Sequence, residues 1–90
     1  MRVVGALLIL ESARKRGYAD PDLLHAVALA VRTYKQDDGM TMFVGPDSAG
    51  RLMEVGVVSL RDGTRAIAHA MRPARKKFLP ANQRRSRARP

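Results

Sequence analysis

The fold of this chain is decided by residues 40–71, MTMFVGPDSAGRLMEVGVVSLRDGTRAIAHAM. Apolar and β-branched residues fill three short runs, and glycine-containing turns separate the runs, which is typical of an antiparallel meander. The pattern predicts strands over residues 40–44, 51–61 and 64–71.

The turn between the second and third predicted strands determines which residues face each other. Asp62-Gly63 is typical of a two-residue type I′ turn, which would place Arg61 opposite Thr64. The register then pairs Gly56 with His69, Glu54 with Met71, and Val58 with Ile67. Because side chains alternate between the faces of a sheet, Glu54 and His69 are expected on one face as diagonal neighbours.

This predicted pair suggests a small site for RNA cleavage. Metal-free cleavage needs a base for the 2′-hydroxyl proton, a cation near the phosphate and an acid for the leaving oxygen. His69 suits the base or acid role, Glu54 could orient it, and Gly56 is expected to leave open space in front of it. The candidate cations are Arg51, Arg65, Arg72 and Arg75. The alternative is a surface polar pair without a catalytic role.

The first third of the chain predicts two helices. Residues 11–16 form the first, which ends at Gly17, and residues 22–33 form the second, after Asp20 as the N-cap and a proline. His25 lies opposite the apolar stripe and is expected to face solvent. Residues 36–39 are predicted as the turn that ends the helical part.

The sequence therefore predicts an α+β fold, with two N-terminal helices packed on a three- to four-stranded antiparallel sheet. Residues 3–10 are the candidate fourth strand. The two helices could also be mistaken for a helix-turn-helix, but the second carries only Arg32 and His25 as basic residues, unlike a recognition helix.

Positive charge is concentrated at the C-terminal end. The net charge is +9, and residues 72–90 contain basic side chains but no acidic ones. Residues 80–90 are interpreted as a basic, flexible tail after a single domain of residues 1–79. Such a segment attracts nucleic acid or an acidic protein. The candidate nucleic-acid-binding residues are Lys15, Arg16, Arg65, Arg72, Arg75, Lys76 and Lys77.

Composition also bears on cofactors and location. The chain has no cysteine and only two histidines, which predicts neither a disulfide nor a metal site, and no motif indicates another cofactor. The apolar run at residues 3–10 is too short to span a bilayer and lacks a cleavage pattern. We expect a cytoplasmic protein that does not associate with membranes.

Three segments resemble BrnT-like toxins of the RelE/ParE superfamily. They are Lys15-Arg16-Gly17-Tyr18 with the helix that follows it, residues 44–55 (VGPDSAGRLMEV) and residues 66–71 (AIAHAM). The resemblance covers residues 11–79 and includes the order of the elements. It implies a RelE-like ribonuclease toxin that is bound and silenced by a cognate antitoxin, which usually also represses the shared operon at its operator DNA.

The resemblance also implies roles for individual residues. The family's Lys-His-Gly motif falls on Lys15-Arg16-Gly17, so arginine stands where histidine is common. Its Gly-Arg motif falls on residues 50–51 and implies a catalytic role for Arg51. Its Ser-Ala-Arg motif falls on residues 69–71, where methionine replaces arginine and Arg72 follows directly. We hypothesise that His69 replaces the histidine missing at residue 16.

The antitoxin is expected to cover exposed apolar surface, including Met40, Met42 and Met53. Two other functions remain open from the sequence. One is a non-catalytic nucleic-acid-binding protein that uses the basic tail. The other is an inactive toxin remnant that serves as an interaction module.

Overall fold

The computed structural model describes residues 7–78 of the chain. It has two helices and a five-stranded mixed sheet with the strand order β1-β5-β4-β3-β2. The elements are β1 (Leu8–Ile9), α1 (Glu11–Arg14), α2 (Asp20–Ala28), β2 (Arg32–Lys35), β3 (Thr41–Pro46), β4 (Leu52–Ser59) and β5 (Arg65–Met71), followed by a 3-10 turn at Lys76–Phe78.

The predicted α+β class is confirmed, but the prediction of a three- to four-stranded antiparallel sheet is wrong. The candidate strand in residues 3–10 is present as β1, which pairs parallel to β5 through Leu8 and Ile9. Residues 1–6 and the predicted tail of residues 80–90 lie outside the described residues.

The fifth strand arises because α2 is shorter than predicted. The helix ends at Ala28 rather than residue 33, and the Val31 backbone N–H donates to the Val44 carbonyl oxygen (2.8 Å). Val31, Thr33 and Tyr34 are β-branched or aromatic and therefore favour an extended backbone. The predicted turn at residues 36–39 is present, but it joins β2 to β3 instead of ending a helix.

The two faces of the sheet have different coverings. On one face, Met53, Val55 and Ile67 are fully buried against apolar residues of both helices, including Leu23 and Ala26. On the opposite face, a smaller cluster of Met42 and Val44 packs against Ala74, which follows β5. We call this second surface the open face, because in the described residues only the segment after β5 crosses it.

His25 is not the solvent-facing residue that the sequence predicted. It is half-buried, and its Nδ1–H donates to the Pro46 carbonyl oxygen (2.8 Å). This hydrogen bond joins α2 to the end of β3. None of the helices in residues 7–78 has the length and apolar character needed to cross a membrane.

Candidate active site

A buried carboxylate lies at the centre of the open face. Glu54 is inaccessible to solvent, and its Oε2 accepts a hydrogen bond from His69 Nε2 (2.7 Å). Arg75 binds the same carboxylate through its Nη2 (2.6 Å) and Nε (2.9 Å), and its backbone N–H donates to Oε1 (2.8 Å). We call these three residues the Glu54 triad.

The predicted meeting of Glu54 and His69 is confirmed, although the turn that led to it is wrong. The β4–β5 loop has three residues rather than two: the Leu60 N–H donates to the Thr64 carbonyl oxygen (2.7 Å). Near this loop Val57, and not Val58, therefore pairs with Ile67. On this register alone His69 would lie opposite Val55 and project into the helix-side core.

A β-bulge returns His69 to the open face. The register shifts between Val57–Ile67 and Gly56–His69, which leaves Ala68 as the extra residue of β5. The Ala68 carbonyl oxygen instead accepts a hydrogen bond from Ser12 Oγ of α1 (2.6 Å). Bulges re-aim side chains in this way and are frequent beside functional sites.

Gly56 does not leave open space in front of His69, contrary to the prediction. A Cβ on Gly56 would overlap the Met40 sulfur, so the Met40 side chain already occupies the space over this glycine. The other two methionines expected to form an exposed patch are also covered: Met42 and Met53 are buried. The accessible part of the site is therefore the His69 ring and the outer side of Arg75.

The electrostatics of the triad favour an ionised Glu54. Burial by itself would raise the pKa of Glu54, but the side-chain and backbone hydrogen bonds from Arg75, with that from His69, lower it below its ordinary value. The Glu54 hydrogen bond in turn raises the pKa of Arg75. The carboxylate is thus charged at neutral pH and can only accept hydrogen bonds.

An ionised Glu54 also determines the tautomer of neutral His69. Since the carboxylate accepts, Nε2 must carry the hydrogen, and the Nδ1 lone pair is then available. Nδ1 has no hydrogen-bond partner among residues 7–78, and the side chain is 30% exposed. A buried carboxylate that orients an accessible imidazole is an arrangement suited to general base catalysis.

Arg51 does not join this triad. It lies three residues before Glu54 and immediately ahead of β4, so in an extended chain its Cα is about 10 Å away and its side chain projects to the other face. Its guanidinium is exposed, and Nε lies 3.4 Å from Asp47 Oδ2. The structure therefore does not bring the predicted catalytic set of His69, Glu54 and Arg51 together, whereas Arg75 is beside Glu54.

Asp47 is the centre of a second ionic cluster. This residue is buried, and its Oδ1 accepts hydrogen bonds from the backbone N–H groups of Ala49 and Arg51 (both 2.9 Å). Burial would raise the pKa of Asp47, but these hydrogen bonds and the charge of Arg72 lower it. Arg72 Nε lies 2.8 Å from Oδ2, but the two atoms are not aligned as a hydrogen bond, so we regard the contact as an ion pair.

Arg72 has structural contacts on several sides. Its Nη2 lies 3.3 Å from Asp22 Oδ2, and its guanidinium stacks 4.9 Å above the Tyr18 ring centroid. The Tyr18 hydroxyl accepts a hydrogen bond from the Arg72 backbone N–H (2.8 Å). Sequence reasoning missed Asp47 and Tyr18, because neither their burial nor their long-range partners has a signal in local spacing.

The remaining predicted nucleic-acid-binding residues are dispersed. Lys15 and Arg16 are exposed just after α1, and Arg65 is exposed at the start of β5. Lys76 and Lys77 are exposed in the 3-10 turn that follows Arg75. Only this last pair adjoins the Glu54 triad along the chain.

Residues 7–78 contain no group of three His, Asp or Glu side chains that could hold a metal ion. Comparisons with protein-family models, curated proteins and solved structures found no match. The resemblance to BrnT-like toxins therefore rests on the sequence motifs.

Proposed function

We propose that this chain is a metal-independent endoribonuclease and the toxin of a bacterial type II toxin–antitoxin pair. The observation that carries the proposal is the contact between buried Glu54 and accessible His69. The BrnT-like motifs support the toxin class, and a RelE-like arrangement of the elements is part of the same proposal. Growth inhibition would follow from loss of translatable RNA.

The proposed reaction uses His69 as the general base. Its Nδ1 takes the proton of a ribose 2′-hydroxyl, and the 2′-oxygen then bonds to the adjacent phosphorus. The bond from phosphorus to the 5′-oxygen breaks, and this oxygen takes a proton from water. The products are a 2′,3′-cyclic phosphate and a 5′-hydroxyl. Glu54 holds the imidazole and stabilises its positive charge, while Arg75 faces the charge that develops on the phosphate oxygens.

Basic side chains would bind the RNA and, in its absence, an acidic antitoxin. Exposed cations such as Lys76 and Lys77 attract the phosphate backbone, and such binding weakens as salt concentration rises. An acidic segment of the antitoxin would compete for the same charges. The exposed apolar residues Leu29 and Val31, rather than the buried methionines, are the candidates for coverage by the antitoxin. Contact with operator DNA would pass through the antitoxin.

The test compares the two histidines of the chain. Purified protein with His69→Ala should cleave single-stranded RNA about 100-fold more slowly than the parent, because a general base contributes at least this much. His25→Ala removes a histidine that contacts Pro46 instead of Glu54, so it should retain cleavage. Cleavage should persist in EDTA, leave cyclic phosphate ends and fail on 2′-deoxy substrates.

Bacterial growth after induction of the same variants provides the cellular measurement. The parent and His25→Ala should arrest growth, and His69→Ala should not. Equal cleavage by the parent and His69→Ala, with thermal melting confirming that both are folded, would exclude the proposed mechanism.

One observation favours a second function. Arg75 binds the Glu54 carboxylate with both backbone and side chain, so the triad also fastens residues 73–75 to the sheet. A protein that needs the triad only for this purpose could bind nucleic acid, or act as an interaction module, without cleavage. In that case removal of residues 80–90 should abolish RNA binding, whereas a nuclease with its site on the sheet should only bind more weakly.

A further inference from the structure

A single cross-strand row connects His69 with a surface on the far edge of the sheet. Tyr34 lies opposite Met42, Met42 opposite Gly56, and Gly56 opposite His69. Residues that face each other across a sheet share a face, so Tyr34 and His69 both belong to the open face. Three strand spacings separate them, which is about 14 Å.

A shallow depression of about 310 Å³ lies at the Tyr34 end of this row. Edge strand β2 and the turn after it supply four of its lining residues, and the segment after β5 supplies Lys77. The lining residues are Tyr34, Lys35, Gln36, Asp37 and Lys77. The Arg32 guanidinium stacks on Tyr34, 5.4 Å from the ring centroid. An aromatic ring, a guanidinium and two ammonium groups thus meet at one place.

Basic side chains outnumber acidic ones around this depression. Asp38 and Asp62 accept hydrogen bonds inside their own turns, and Glu54 is bound by Arg75. Asp20, Asp22 and Asp47 form ion pairs with arginines on the helix side. Asp37 lines the depression and Asp38 lies in the same turn, and these two carboxylates are outnumbered by Lys35, Lys77 and the Arg32 that stacks on Tyr34.

We propose that this depression is a second RNA subsite, which binds a nucleotide beyond the scissile phosphate. Lys35 and Lys77 bind a phosphate, and the base stacks against Tyr34 or the guanidinium of Arg32. Single-stranded RNA is recognised by aromatic and arginine planes of this kind together with basic side chains. This inference rests on the proposed function, because it takes His69 as the position of cleavage.

The separation of about 14 Å between Tyr34 and His69 determines which substrates are long enough to reach both residues. A dinucleotide that is cleaved at His69 is too short to reach Tyr34, whereas an octanucleotide can occupy both places. Contacts made only by the longer substrate should therefore appear as a difference in kcat/KM between the two substrates.

The experiment measures cleavage of a dinucleotide and of an RNA octanucleotide by the full chain and its variants. Tyr34→Leu and Lys77→Ala should each lower kcat/KM for the octanucleotide about tenfold, since stacking and phosphate contacts have this magnitude. Tyr34→Leu should leave kcat/KM for the dinucleotide unchanged. Tyr34→Phe keeps the ring and should behave like the parent. Arg61→Ala removes an exposed cation on the β4–β5 loop and is the control for loss of one positive charge. It should change kcat/KM for the octanucleotide much less than Lys77→Ala does.

A binding measurement separates this inference from the nuclease proposal. The probe is a fluorescent 2′-O-methyl octanucleotide, which cannot be cleaved. If the parent binds it and Tyr34→Leu and Lys77→Ala bind about tenfold more weakly, the subsite stands even if the chain cuts no RNA. If the parent cleaves RNA while these variants match Arg61→Ala on every substrate, the subsite is overturned and the nuclease stands. Failure of the parent to bind the probe also overturns the subsite.

Discussion

At the scale of single residues, packing on the two faces of the sheet depends on two glycines, Gly45 on the helix side and Gly56 on the open face. Gly45 lies where α2 crosses β3, and a Cβ there would overlap the Ala26 carbonyl oxygen and approach the Ala30 backbone. A Cβ on Gly56 would instead meet the end of the Met40 side chain. The Ala26 carbonyl is part of the helix backbone and is held in place, whereas the Met40 side chain can change its rotamer.

This contrast predicts different costs for the same substitution. Gly45→Ala should lower the free energy of unfolding by about 3 kcal/mol, because helix and strand must separate. Gly56→Ala should cost about 1 kcal/mol or less, since methionine is flexible. Urea denaturation of both variants beside the parent measures the difference, and equal losses would contradict this account of the helix–sheet contact.

At the scale of elements, the three antiparallel hairpins use one type of connection. Each has a three-residue loop that ends in a glycine with φ between 88° and 89°, at Gly39, Gly50 and Gly63. A type I turn followed by a left-handed residue gives this geometry. The predicted two-residue turn at Asp62-Gly63 was wrong because Gly63 takes the third loop position and Asp62 caps the turn by accepting from the Thr64 N–H (2.9 Å).

The left-handed backbone at Gly63 gives a prediction for the β4–β5 hairpin. Gly63→Ala should lower the free energy of unfolding by about 1–2 kcal/mol, because a Cβ is disfavoured at positive φ. Gly63→Asn should cost less, since asparagine tolerates this region. Within residues 7–78, and apart from its two chain neighbours, nothing would lie within 4 Å of the added Cβ, so crowding among these residues does not contribute. Thermal melts that rank alanine equal to asparagine would argue against a backbone origin.

At the scale of the whole molecule, two buried carboxylates hold the chain after β5 in place. Asp47 binds Arg72, and Glu54 binds Arg75, so residues 72–75 are fastened to the sheet at two points. Without this segment the cluster around Met42 and Val44 would lose the cover of Ala74. Ion pairs therefore complete a small hydrophobic layer that the helices do not reach.

These two ion pairs predict that the free energy of unfolding depends on pH. The pKa values of Asp47 and Glu54 are lowered in the folded state from ordinary values of 3.8 and 4.5. The unfolded chain therefore takes up protons at higher pH than the native protein, and the contribution of each pair is present above the ordinary value and lost as pH falls below it. Denaturation at pH 7, 5, 4 and 3 should show a stable plateau followed by a decline below about pH 4.5.

Glu54→Gln provides the matched control for this prediction. The variant should be less stable at pH 7, because Arg75 loses its partner, but its stability should decline less between pH 5 and 3. A parent protein that is equally stable at pH 7 and pH 3 would contradict the stabilising contribution of these two ionised carboxylates.

Much of the fold followed from local signals in the sequence. Alternating apolar runs and glycine turns sufficed for the three central strands, and the proline at residue 21 indicated the start of α2 to within two residues, although the N-cap is Ala19 and not the predicted Asp20. Such features depend on backbone preferences that each residue carries wherever it lies. The Glu54–His69 contact was also predicted, but through a two-residue loop and an unbroken register, two errors that cancelled.

The tertiary structure alone decided the rest. The bulge at Ala68 places His69 on the open face, and its carbonyl is satisfied by Ser12 from a distant helix. Edge strand β2 forms in place of a longer helix because β3 offers its backbone hydrogen bonds. Arg75, rather than Arg51, meets Glu54 because the chain turns back across the sheet after β5. Each of these depends on partners remote in sequence, and local spacing contains no information about them.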